Sequence, residues 1–156
     1  MDNLIIGIDP DNEAHGVAIY INGKIDKLAT MDLTEIVNAT KWQIGCGNTV
    51  QFHIENVCAQ NAAFAKKGIK NARAATNVNR SLGMCQQSQI ELERALSYLD
   101  VTITHHPIAS NWKKSEQGKK PLKHYTGYDG RSNEDTRSAA YFGYLGVLKC
   151  KEENNH

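Results

Sequence analysis

Leu4 to Ile8 is an unbroken apolar run that ends in Asp9 and Pro10. That is the pattern of a strand buried on both faces, with a carboxylate where the sheet meets solvent and a proline that breaks the ladder behind it. Asp11-Asn12-Glu13 is turn-like, and His15 to Tyr20 is β-branched and aromatic, so a hairpin follows. Gly23 turns the chain into a third strand, Lys24 to Met31. Asp32 and Glu35 have the spacing of a capping box, which predicts a helix from about Leu33 to Trp42, ended by Gly45-Cys46-Gly47. Val50 to Glu55 alternates as a strand should and also closes on an acid.

Asn56 to Lys70 is rich in small residues and reads as a connection. From Ala72 to Leu99 the spacing predicts a long helix, with Val78, Leu82, Cys85, Leu92 and Leu96 as its apolar seam and Gly83 allowing close approach of a partner. Val101 to Thr104 is another strand. Residues 109–131 are polar and lysine-rich, with Gly118, Pro121, Gly127 and Gly130. They read as one long loop, and a loop of that length in a compact domain is usually functional. A last helix opens at Ser132-Asn133-Glu134-Asp135, with Ala139, Ala140, Phe142, Leu145 and Leu148 as its packing face. The order of elements is that of an α/β fold with a mixed sheet.

With 156 residues the chain is most simply one domain. Its 18 Lys and Arg nearly balance its 17 Asp and Glu, so the summed charge points to no partner; only its distribution can. Cys46, Cys58, Cys85 and Cys150 are scattered without a C-x-x-C pair. Buried, reduced thiols are expected rather than a zinc site or a disulfide framework. Neither a signal peptide nor a membrane span is evident, and the expected location is the cytoplasm, a host's cytoplasm if the gene is a phage's.

Two strands that each end in an acid, with Asp135 at a helix start, make a pattern stronger than any one of them. Taken singly, Asp9 is a turn acid, Glu55 an exposed strand acid, and Asp135 a capping acid paired with Ser132. If the fold brings them together, three carboxylates repel one another unless a divalent cation neutralises them. Hard oxygen ligands suit Mg²⁺ or Mn²⁺, and two such ions roughly 4 Å apart form the clamp used for phosphodiester hydrolysis.

Ile6-Gly7-Ile8-Asp9-Pro10, Gly16-Val17-Ala18, His53-Ile54-Glu55, Leu82-Gly83 and Glu134-Asp135-Thr136-Arg137-Ser138-Ala139-Ala140 together resemble RuvC-type Holliday junction resolvases of the RNase H-like superfamily. The resemblance spans nearly the whole chain in order, and the small size suits a phage-type member. It implies a central mixed five-stranded sheet flanked by helices, and a homodimer joined through the long helix. It also implies four acids on two Mg²⁺ ions, with Mn²⁺ able to substitute. Asp9, Glu55 and Asp135 match three of the acids. The fourth position is Ser138 here, so Glu134, beside Asp135, is the candidate substitute. Asp11 stands where bacterial members usually carry Gly. The implied activity is Mg²⁺-dependent endonucleolytic resolution of four-way DNA junctions by paired symmetric nicks.

Basic residues bracket the proposed acids. Lys66, Lys67, Lys70, Arg73 and Arg80 fall in the acid-free stretch between Glu55 and Glu91, and Lys113, Lys114, Lys119, Lys120, Lys123 and Arg131 crowd residues 109–131. Such runs are commonly solvated faces, but flanking a metal centre they make a phosphate track. Phe64 resembles the family's aromatic that stacks on an unpaired base; Trp112 is balanced between that kind of role and the core. The competing readings are another RNase H-like nuclease acting on flaps, forks or RNA precursors, and a nucleic-acid-binding module that has lost catalysis. An actin-like ATPase is disfavoured, because the chain lacks a second phosphate-binding half.

Overall fold

The computed structural model describes residues 1–60 and 71–155. Five strands, β1 (Asn3–Asp9), β2 (His15–Ile21), β3 (Lys24–Met31), β4 (Thr49–Glu55) and β5 (Thr102–His106), form one sheet in the order β3-β2-β1-β4-β5. β1, β2 and β3 are antiparallel neighbours, whereas β4 and β5 run parallel to β1. The helices are α1 (Leu33–Gly45), α2 (Ala72–Leu96), α3 (Ser115–Thr126) and α4 (Glu134–Asn154). This is the mixed five-stranded α/β architecture of the RNase H-like fold.

Side-chain parity divides the strands between two faces. Leu4, Ile6 and Ile8 of β1, with Val50, Phe52 and Ile54 of β4, join Ile36 of α1 and Leu92 and Leu96 of α2 in one aliphatic cluster. Ile5, Ala18 and Tyr20 join Ala139, Ala140 and Val147 of α4 and Leu122 of α3 on the other. Asp9 and Glu55 share parity with Ile5 and Gln51, so both strand-end acids face the α4 side. The β1–β4 register runs to Ile8 opposite Ile54, which sets the two acids side by side one residue further on.

Local signals explain the ends of several elements. Asp32 and Glu35 make the reciprocal capping box that opens α1. Asn22 and Gly23, with φ of 50° and 86°, make the β2–β3 turn, the left-handed pair that a tight hairpin requires. α4 lies almost against the sheet backbone. A Cβ at Gly7 would overlap the Ala139 carbonyl and stand 2.6 Å from Gly143 N, and one at Gly16 would overlap the Asp135 carbonyl. Tyr20 Oη donates to the Ala140 carbonyl at 2.6 Å.

Four expectations need correction. Residues 109–131 are not one loop: they contain α3, with Pro121 inside it. Its signal is masked by Gly and Pro, since only Gly118 and Leu122, four apart, face inward. The apolar seam of α2 is split, with Leu92 and Leu96 buried but Val78 exposed and Leu82 and Cys85 half-buried; the helix itself ends at Leu96. On α4 Leu148 is exposed, and Gly143, Gly146 and Val147 complete the buried face instead, because only glycine admits the sheet so closely. None of the four cysteines is buried; all are free thiols, Cys46 and Cys58 exposed, Cys85 and Cys150 half-buried. No described helix is long and apolar enough to cross a membrane.

Candidate active site

At the carboxyl ends of β1 and β4, a cavity of about 300 Å³ is lined by Asp9, Asp11, Glu55, Lys113 and Asp135, with Val78, Leu82 and Cys85 of α2 on its far wall. Three elements supply the acids. β1 and β4 deliver Asp9 and Glu55, each under a tenth exposed, through the parity described above. α4 delivers Asp135 from its first turn, which Asn133 and Thr136 cap reciprocally. The capping role open to Asp135 is therefore filled by its neighbours, and its carboxylate is left to face Asp9.

The carboxylates crowd one another. Burial pushes the Asp9 carboxyl up, and the Asp135 charge adds to this, against the pull of the Lys113 ammonium and the Ser138 hydroxyl. Glu55 is raised to about 7, by burial first and then by Asp9, although the Ala109 N–H and Lys113 oppose the shift. Asp135 is raised by burial and by Asp11, and Glu134 adds to it from outside the cavity. Lys113 Nζ lies 3.4 Å from Asp9 Oδ2 and 4.0 Å from Asp135 Oδ1. Burial lowers the lysine's pKa, but Asp9, Asp135 and Glu55 outweigh that and raise it.

Asp11 is held by its surroundings. Its N–H donates to His15 Nδ1 at 3.2 Å, and its Oδ1 accepts from the Asn12 N–H at 2.7 Å and from Cys85 Sγ at 3.6 Å. Burial lowers the pKa of His15, which suits the neutral imidazole that such an acceptor requires. Ser138 is fully buried, near enough to temper the Asp9 carboxyl, yet among the described residues its Oγ makes no hydrogen bond of regular geometry.

The donor set is all hard oxygen and suits Mg²⁺ or Mn²⁺. A divalent charge there would relieve the crowding that raises all three acids, and the buried Ser138 hydroxyl offers a further oxygen. The residues fit such an ion by chemistry and by charge. Among the described residues, however, no three acid, histidine or cysteine side chains are gathered in a metal-holding arrangement; the Lys113 ammonium stands between them.

The structure thus brings together Asp9, Glu55, Asp135 and Lys113. Glu134 is exposed at the first residue of α4 and does not line the cavity. Arg73 and Arg80 are exposed on the N-terminal half of α2, whose Val78, Ser81 and Leu82 wall the site. Lys114, Lys119, Lys120 and Lys123 are exposed on and beside α3, and Lys119 pairs with Glu116 at 2.9 Å. Phe64, Lys66, Lys67 and Lys70 lie outside the described residues. Trp112 is core, 8% exposed, stacked on Tyr125 and packed against the edge of Tyr141 and the tilted ring of Tyr144. Sequence reasoning missed Asp11 as part of the cavity and Arg137 beneath it. Its signal for Asp11 was the acid that replaces the family's glycine; for Arg137 it was a charge set among Thr, Ser and Ala.

No family model matches the chain, and no curated protein matches it by sequence. Solved structures do. A T. thermophilus RuvC in complex with a Holliday junction substrate is similar with a TM-score of 0.56 at 8% identity, over 96% of each chain. A second T. thermophilus RuvC structure is similar at 0.43 and 10% identity, again over 96% of each. At such identity the likeness establishes a shared fold.

Proposed function

We propose that this chain is a divalent-cation-dependent DNA endonuclease that resolves four-way junctions by paired symmetric nicks. The observation that carries the reading is the convergence of Asp9, Glu55 and Asp135 in one cavity at the end of an RNase H-like sheet. A structural neighbour with this fold is a RuvC in complex with a Holliday junction substrate. Asp9, Glu55 and Asp135 would hold Mg²⁺ or Mn²⁺, two ions in the arrangement the sequence resemblance implies, with Glu134 adding charge from outside. A bound ion would neutralise the carboxylates and activate water for attack on phosphorus.

The chain's own residues supply the rest. The Ala109 N–H, 3.4 Å from Glu55 Oε2, steadies that carboxylate in its ionised form. Arg73, Arg80, Lys114, Lys120 and Lys123 offer exposed charge for phosphates, to which Lys66, Lys67 and Lys70 would add, with Phe64 stacking on an unpaired base. A homodimer matches the two-fold symmetry of a four-way junction, and the exposed Val78, Gly83, Met84 and Ile90 of α2 are the surface offered for it. A second reading, binding without catalysis, draws on the neutral Ser138 and on the lysine among the acids.

One experiment separates the two: synthetic junction, fork, flap and duplex DNA, incubated with the protein with and without Mg²⁺. Nicks at symmetric positions of the junction, dependent on Mg²⁺, are expected. Asp9→Asn should lower the rate more than about 100-fold while junction binding persists, because it removes a ligand charge and leaves the basic surface intact. Binding without cleavage by the unaltered protein would favour the second reading, and preferential cutting of flaps or forks would change the substrate.

A further inference from the structure

Arg137 is 3% exposed, two residues past Asp135 on α4, and makes no ion pair among the described residues. A buried charge is costly unless it is fully hydrogen-bonded, and here the bonds go mainly to backbone. Nε donates to the Trp112 carbonyl at 3.1 Å, Nη2 to the Lys113 carbonyl at 2.9 Å, and Nη1 to Ser132 Oγ at 3.1 Å. The fork of a guanidinium thereby spans two successive peptide groups, a geometry that lysine cannot copy.

Two further features meet at the same peptide. Trp112 has φ of 63°, a left-handed conformation that a bulky side chain holds only when its surroundings enforce it. Gly118 of α3 sits where a Cβ would overlap the Trp112 carbonyl and stand 3.0 Å from Arg137 Nε. Ring packing, a glycine and a buried guanidinium all fix this one turn, and the residue that leaves it is Lys113.

We propose that Arg137 is a positioning residue: by clamping the Trp112–Lys113 backbone it seats the Lys113 ammonium between Asp9 and Asp135 as a resident cation. An ordinary half-exposed lysine spends its rotamer freedom to reach an acid and gains little by it. Here the chain direction is set in advance and Nζ reaches both carboxylates. An incoming divalent ion must therefore compete with, or displace, a charge that the fold already provides. The proposal rests on the reading of Asp9, Glu55 and Asp135 as metal ligands only for that last consequence.

The test uses the full chain without DNA. Amine modification followed by mass spectrometry compares Lys113 with exposed Lys114 in the same molecule. Lys113 should react about fivefold more slowly, because its ammonium is partly buried and engaged by Asp9 and Asp135. In Arg137→Met, and in Arg137→Lys should the first variant fail to fold by circular dichroism, the two rates should converge. Mn²⁺ titration is the second readout. Lys113→Met should tighten Mn²⁺ binding about tenfold by removing a like charge, and the folded Arg137 variants should move the same way, which mere loss of packing would not produce. A folded Arg137 variant that leaves the Lys113 rate at the wild-type value overturns the positioning role. Unchanged Mn²⁺ affinity in Lys113→Met overturns the resident cation. If labelling and titration behave as expected and no junction is cut, the nuclease reading fails and this one stands.

Discussion

The two faces of the sheet are packed by different means. Under α1 and α2 the contact is mainly aliphatic: leucine, isoleucine and phenylalanine side chains fill the space, and the buried polar residues of those helices, Thr40 and Gln89, bond to the Ile36 carbonyl and to Asn56. Under α4 the contact is nearly backbone on backbone at Gly7 and Gly16, while Gly143 and Gly146 lie directly against the rings of Tyr20 and His53. Polar groups are set into that face. His53 Nδ1 lies 2.8 Å from His106 Nε2, while His53 Nε2, against Gly146, has no hydrogen-bond partner among the described residues. A side-chain core tolerates small shifts, because its members repack. A backbone contact does not, so the face that carries the acids is the one whose helix cannot slide.

Substitutions on each face test this difference. Leu92→Ala should cost about 2–5 kcal/mol in urea unfolding, and the remaining folded protein should cleave at the wild-type rate. Gly7→Ala should cost about 3 kcal/mol or slightly more, yet its folded fraction should also lose cleavage, since α4 and Asp135 are pushed off the sheet. Equal specific activities in the two variants would erase the distinction between the faces.

A smaller effect sharpens it through pH. Glu55 is raised from 4.5 to about 7, so its burial costs nothing below pH 4.5 and penalises the fold as the pH rises through 7. Glu55→Gln should therefore be more stable than wild type at pH 8, by on the order of 2 kcal/mol after allowing for solvent screening, and equal to it near pH 4.5. His53, depressed from 6.5 to about 4, acts in the opposite sense: the fold loses stability as the pH falls from 6.5 towards 4. That loss is common to both proteins and cancels in their difference. A Glu55→Gln difference that does not change with pH would show that the acid is not held in a crowded, dry setting.

Tyr20→Phe removes the hydroxyl donated to Ala140 and should cost about 1–2 kcal/mol, with cleavage reduced less than in Gly7→Ala. Glu134→Gln is expected to do least. Its carboxylate is exposed, and a shift of less than about twofold in the Mg²⁺ needed for activity is the outcome for a charge acting through solvent. A tenfold shift would put Glu134 into the ligand set.

Much of the acid-bearing half was legible because strand parity is a sequence property. Asp9 ends an apolar run and Glu55 an alternating one, and their alignment needed only the parallel pairing of β1 with β4. The Asp32–Glu35 box was legible for a similar reason, since both partners lie within one turn. The lysine site was not. It depends on the φ of Trp112, on a helix disguised by Gly118 and Pro121, and on an arginine whose partners are two carbonyls and a serine hydroxyl. Backbone oxygens are the same at every position, so no pattern of residue types announces them. The split of the α2 seam was hidden too: periodicity finds the stripe but not where along it the domain ends.

The bond from Tyr20 to Ala140 spans 120 positions, and Asp9 meets Asp135 across a similar interval. During synthesis β1, β2 and β3 emerge early and can pair, and the aliphatic core can close once α2 has left the ribosome. The acid cavity has no third wall until α4 emerges. A ribosome-bound intermediate would thus carry a folded sheet with an open, inert acidic edge, and competence to cut would arrive late and in a single step.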